Sequence, residues 1–187
     1  MQGALAGHRI HIFGASGAGT STLGRALATV LASQHFDVDD FYWRPTDPPF
    51  RAKRSIPERR ALMEAVFLPR RDWVLSGSVD SWSEGIDDRF TLAIFLDLDI
   101  ETRLARLRAR EALRLKGASR DAAEEMAAFL EWAAAYDDGL LPGRNRARHE
   151  TWASELACPV LRLNSAPPVE VLVGRVLASL DAGRQLA

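Results

Sequence analysis

Apolar positions along this chain follow two spacings in turn. The runs His8 to Phe13, His35 to Val38, Trp73 to Val79, Leu92 to Leu98 and Val160 to Leu163 have the length and apolar content of buried parallel strands. Between them, apolar residues recur at three- and four-residue intervals. Leu23, Ala26, Leu27, Val30 and Leu31 do so first, then Ile56 to Leu68, about Glu101 to Lys116, about Arg120 to Asp137 and about Val169 to Leu180. Such spacing gathers them on one helical face. The stretch from about Asp137 to about Glu150 is polar. Strand and helix therefore alternate with one helical insertion, which predicts an α/β fold with a parallel sheet covered on both faces. Sheets of this kind bind ligands beyond the carboxyl ends of their strands, so the residues after each strand are the candidates for function.

Composition narrows the class. A chain of 187 residues, 47% hydrophobic, suits one compact domain. A net charge of −1 gives no general attraction to nucleic acid or to anionic membrane. The single Cys158 excludes an internal disulfide and reads as a small residue opening a strand. No charged leader precedes an apolar stretch, and no apolar run approaches the ~20 residues that span a bilayer. The expectation is a cytoplasmic protein, monomer or homodimer, without membrane contact.

The first strand runs into Gly14-Ala15-Ser16-Gly17-Ala18-Gly19-Thr20-Ser21-Thr22 and then a helix. Gly14, Gly19 and Ser21 fall in register with the phosphate-binding pattern G-x-x-x-x-G-K-[ST], while Thr20 stands at the lysine position. The glycines let backbone N–H groups converge on phosphate oxygens, and the helix N-terminus adds about half a positive charge. The cradle thus survives without lysine, and Ser21 becomes the expected magnesium ligand. The missing ammonium must be replaced by another cation. The lysines are Lys53 and Lys116; otherwise an arginine serves.

After the second strand stand Asp37 and Asp39, which share one side of an extended chain by the two-residue period. Two carboxylates there suit magnesium binding and proton acceptance from an attacking hydroxyl; a polar strand-ending turn is the plainer alternative. The segment from Phe41 to Arg54 is dense in proline, aromatics and cations, and reads either as the wall of an acceptor pocket, with Arg51, Lys53 or Arg54 facing an anion, or as a self-packed surface loop. After the third strand come Ser76, Gly77, Ser78 and Trp82. Trp82 fits an acceptor contact or a packed loop anchor equally.

Arg103, Arg106, Arg110 and Arg114 recur at three- and four-residue spacing on one helix. Like charges so placed destabilise a helix by a few tenths of a kcal/mol per pair, which a bound anion offsets. Arg144, Arg146 and Arg148 form a second cluster. Together the clusters suggest a lid, over about residues 103–150, that closes on a triphosphate; for any single arginine, a solvated face with acidic neighbours is the simpler reading.

The glycine loop, the Asp37-Val-Asp-Asp-Phe-Tyr-Trp43 segment, Arg106 and Arg110, and the ending Cys158-Pro-Val-Leu-Arg-Leu163 resemble bacterial P-loop proteins related to adenylate kinase and shikimate kinase, often labelled AAA-family ATPases. The resemblance spans nearly the whole chain and implies a five-stranded parallel sheet, ATP with magnesium, and a mobile arginine lid. By likeness to shikimate kinase, Asp37 would lie near the metal and Asp39 would hold the acceptor hydroxyl. The chain departs from the relatives at Thr20, although a threonine is seen at this position in one subgroup, and at Ser76, where adenylate kinases carry an aspartate. No segment matches their AMP-binding parts.

The expected activity is phosphoryl transfer from ATP to a small-molecule hydroxyl or phosphate. Gly14 to Thr22 would hold the nucleotide, Ser21 and Asp37 the metal, and Asp39, Trp43, Arg54, Gly77 and Trp82 the acceptor. Asp37, Asp39, Arg106, Arg110 and Arg144 would act in catalysis. The alternative is a nucleotide-binding module with weak hydrolysis that serves as a switch or partner protein.

Overall fold

A computed structural model describes residues 7–114 and 120–185. Lys116 and the side chain of Arg114 lie outside what is described. Strands β1 (Arg9–Gly14), β2 (His35–Asp37), β3 (Trp73–Ser76), β4 (Leu92–Asp97) and β5 (Val160–Asn164) form one sheet in the order β2-β3-β1-β4-β5. All four pairings are parallel. The helices are α1 (Thr20–Val30), α2 (Val38–Tyr42), α3 (Ile56–Val66), α4 (Ile100–Arg114), α5 (Arg120–Ala134), α6 (Arg146–Glu155) and α7 (Val169–Gln185). The expected α/β architecture, five parallel strands between helices, is the one observed.

Alternation along the central strands divides the core. Ile10, Ile12, Val74 and Ile94 meet Leu23 and Leu27 of α1 and Val176 of α7 on one face. Phe13, Leu75 and Phe95 meet Met63, Phe67 and Trp152 on the other. Each fully buried large apolar side chain contributes about 1.5–3 kcal/mol of transfer free energy, so both faces are firmly covered. Register then places Ile12 beside Ser76, and Ser76 beside Asp37. The carboxyl ends of the three strands thus meet at one place.

Two expectations change. The second strand stops at Asp37, because this residue caps α2: its carboxylate accepts the Asp39 N–H at 3.1 Å. Asp39 is therefore in a helical first turn, and the two carboxylates do not share one side of an extended chain. The polar stretch before Glu150 also conceals α6, started by Asn145, whose side chain accepts the Arg148 N–H at 2.9 Å. This helix buries only His149, Trp152 and Ala153, too short a stripe among polar residues to give a periodic signal.

Candidate active site

Helix α1 begins just after Gly19, and the loop before it follows the end of β1. Gly17 and Gly19 have φ of 83° and 94°, the left-handed region that favours glycine. A Cβ on Gly17 would stand 2.7 Å from the Arg103 carbonyl oxygen, so the loop is pressed against α4. The first turn of α1 leaves N–H groups without intrahelical partners at the strand ends, a cradle that fits phosphate oxygens.

Behind the cradle, Ser21 Oγ donates to Asp37 Oδ2 at 2.6 Å. Ser76 Oγ lies 3.4 Å from both of them and 2.8 Å from His35 Nε2. Burial lowers the His35 pKa, against the pull of the Asp37 charge. A hydroxyl and a carboxylate side by side match the hard oxygen donors that magnesium takes when phosphates complete its shell. Ser76 supports this pair from the end of β3.

Asp39 faces a cleft of about 320 Å³ lined also by Asp40, Trp43, Arg44, Phe50 and Arg54. Although Asp39 is open to solvent across this cleft, the surrounding protein partly desolvates its carboxyl and, with the Asp37 charge, raises its pKa. The Arg144 charge and a hydrogen bond from the Trp43 side chain oppose the rise. Arg54 lines the same cleft, but its Nη1 donates to the carbonyls of Asp40 at 2.9 Å, Phe41 at 3.2 Å and Trp43. It ties off the end of α2. Gly77, with φ of 114°, lies against Val38 and lets β3 approach α2. Trp82 is only 4% exposed and packs in the aromatic core, as the loop anchor and not as a wall of the cleft.

The arginines separate. Arg144 Nη2 donates to Ser16 Oγ at 2.6 Å, and its Nη1 donates to Ser78 Oγ at 3.3 Å. Its guanidinium lies 5.0 Å from the Trp132 ring centroid, and its Nε has no protein partner. Burial pulls its pKa down while Asp39, Asp80, Tyr136 and Asp37 pull it up. Arg106 Nη1 lies 3.8 Å from the point where a Cβ on Gly19 would stand, with Nη2 donating to the Ser165 carbonyl at 3.3 Å. Arg110 pairs with Glu111 at 2.7 Å on its own helix and is not brought to the loop. Arg103 is fully buried: it donates to the carbonyls of Leu98 at 3.1 Å and Ala133 at 3.2 Å and pairs with Asp137 at 2.5 Å. Arg146 bridges Asp97 and Asp137. Arg148 pairs with Asp80 at 3.0 Å.

One group escaped the sequence reading. His149, fully buried, lies with Nε2 2.9 Å from Ser78 Oγ and Nδ1 2.8 Å from the Tyr136 hydroxyl. Burial and the charges of Arg144 and Arg148 hold its pKa down to about 3, so it is neutral. Tyr136, His149 and Ser78 thus form a chain that ends on the Arg144 guanidinium. The only sequence signal was Asn145, a helix-capping residue four positions before the histidine.

No family model matches the chain. The protein named uncharacterized protein YqaC of Bacillus subtilis (strain 168) is 43% identical over 178 residues, covering 92% of this chain and 97% of that one. Among solved structures, shikimate kinase from Aquifex aeolicus superposes with a TM-score of 0.56 at 18% identity, over 94% of this chain and 98% of that one. A gluconokinase from Sinorhizobium meliloti gives 0.53 at 16% identity, over 95% and 93%. At these identities the likeness establishes the fold, that of P-loop kinases of the shikimate kinase type. Among the described residues, no helix is long and apolar enough to cross a membrane.

Proposed function

This chain belongs to the family of Bacillus subtilis YqaC, and we propose that it is a small-molecule kinase that moves the γ-phosphoryl group of ATP to an acceptor held beside Asp39. The observation that carries this reading is Arg144 on the phosphate loop at Ser16, next to the Ser21–Asp37 pair and within the field of Asp39. A loop that binds phosphates, a metal-type oxygen pair, a carboxylate on an open cleft and one cation converge. That set matches the needs of phosphoryl transfer, which are positioning and charge neutralisation.

The residues divide the work. Gly14 to Thr22 would hold the phosphates through backbone N–H groups, with Thr20 adding no charge. Arg144 supplies the positive charge absent from that position. Ser21 and Asp37 would hold magnesium, which would offset the charge of the phosphates. Asp39 orients the acceptor hydroxyl and takes its proton; a raised pKa makes its carboxylate the better base. Arg106 stands close enough to Gly19 to assist at the nucleotide, whereas Arg110 has no such part. This chemistry suits a cytoplasmic enzyme.

The test is thermal denaturation and ADP release with ATP and magnesium. Saturating nucleotide at about 100 times its dissociation constant should stabilise the fold by about 2.7 kcal/mol. A hydroxyl acceptor should then raise ADP release above the rate in water. No shift in melting temperature at millimolar ATP would refute nucleotide binding; a shift without acceptor-stimulated release would refute transfer.

A further inference from the structure

The two arginines that line the cleft beside Asp39 are engaged within the protein. Arg54 is committed to three backbone carbonyls, and Arg44 is paired with Glu58. Arg51, further along the same segment, pairs with Glu125 at 2.6 Å. The Lys53 ammonium sits 5.6 Å from the Trp43 ring centroid and 5.7 Å from that of Tyr42. Asp39 and Asp40 lie on the lining of the cleft with two aromatic rings, Trp43 and Phe50, whose centroids are 5.9 Å apart. Arg144 acts on Asp39 from the phosphate end, where Ser16 and Ser78 hold it.

Resting on the kinase reading above, we propose that the acceptor is a hydroxyl compound without an anionic group, neutral or ammonium-bearing. It would be held by the Asp39 and Asp40 carboxylates and lie against Trp43 and Phe50. An anion entering this cleft meets two like charges and finds Arg44 paired with Glu58 and Arg54 turned to backbone carbonyls; an ammonium or hydroxyl meets acceptors and ring faces. In the transfer, the acceptor oxygen forms a bond to the γ-phosphorus of ATP. The bond from that phosphorus to the β,γ-bridging oxygen breaks, its electron pair leaves on ADP, and the hydroxyl proton passes to Asp39 and then to solvent.

The experiment uses the full chain with ATP and magnesium and a set of hydroxyl compounds matched in size: glucose, glucosamine, gluconate, glucose 6-phosphate, and the pair adenosine and AMP. Acceptor-stimulated ADP release and calorimetric binding are measured for each, with the ATP-induced thermal shift followed separately. Within each matched group the non-anionic member should have at least about tenfold higher kcat/KM or affinity. Glu58→Gln keeps the helix-capping geometry, which accepts Glu or Gln, while releasing Arg44 from its ion pair. In that variant the anionic members should gain about tenfold relative to their neutral partners. If an anionic member is the best substrate of the wild type, the charge inference is overturned while the kinase reading stands. If Glu58→Gln leaves the ranking untouched, Arg44 does not face the acceptor and the inference is equally overturned. Should ATP bind while no compound of any charge binds or is phosphorylated, the assignment of this cleft to the acceptor fails, and the kinase reading with it.

Discussion

Arg144 Nη2 donates to Ser16 Oγ at 2.6 Å across 128 residues of sequence. This contact brings the segment after α5 onto the loop before α1. It puts a guanidinium on a loop whose own residues, Gly14 to Thr22, carry no cation. Arg144→Ala should therefore cut single-turnover phosphoryl transfer by about 10³-fold or more, the range of a transition-state arginine. Arg110→Ala, which removes a partner of Glu111, should stay near wild type. Equal rates for the two variants would refute the assignment.

The Asp37 and Asp39 carboxylates should separate kinetically. Asp37→Asn weakens the oxygen pair with Ser21 and should raise the magnesium concentration needed for ATP binding. Asp39→Asn should lower kcat by about 10²–10⁴-fold with ATP affinity nearly intact, as expected of a lost general base. Small, matching effects would reduce both residues to helix capping.

Acid should destabilise the fold through its buried histidines. Burial holds both His11 and His149 down to about 3, below their ordinary 6.5. The unfolded chain then takes up protons first as pH falls. Stability is fully present above about pH 6.5 and is lost toward pH 3, at up to ~1.4 kcal/mol per pH unit for each histidine. Urea midpoints between pH 7.5 and 5 give the slope, and a His149→Gln variant should show a shallower one. A flat profile in the wild type would contradict the burial of these rings.

Arg103 is a structural arginine within a row that looks functional. Its replacement by Leu strands the carbonyls of Leu98 and Ala133 and half-releases Asp137, which keeps Arg146. We expect a loss of about 3 kcal/mol. Denaturant unfolding measures it, and a change below about 1 kcal/mol would show that the site tolerates repacking.

The aromatic and hydrogen-bonded support of Arg144 gives a further contrast. Tyr136→Phe removes one link from His149, while Ser78→Ala removes the hydroxyl that Arg144 itself touches. Ser78→Ala should slow transfer about tenfold, and Tyr136→Phe less than that, because the neutral His149 can still reach Ser78. The same measurement on Arg144→Ala backgrounds should show that neither change adds further loss.

Much of this protein was legible locally. The apolar runs specify strands buried on both faces, and three- and four-residue recurrence specifies the helices that cover them. The glycine spacing of Gly14 to Gly19 requires a backbone path that few other residues allow, so the phosphate loop could be read from residues adjacent in sequence. Asp37 was found for the same reason, at the carboxyl end of a strand. Its neighbour Asp39 was placed on the wrong local geometry, because a single side-chain cap turns an extended pair into a helical turn. Helix α6 was hidden because its stability comes from three buried side chains and a cap, and not from a long apolar stripe.

Which cation reaches the loop was decided by tertiary structure. Helical spacing fixes which arginines share a face; it does not say which element arrives at that face. Arg103, Arg106 and Arg110 share a helix, yet one is buried on carbonyls, one lies beside Gly19 and one pairs with its neighbour. Arg144 reaches Ser16 because Trp132 and the Tyr136–His149–Ser78 chain hold it there from three different segments. The sequence determined the strands, the loop and the need for a replacement charge. Only the packing of distant segments, which sets distances that no local spacing encodes, brought Arg144 to the loop.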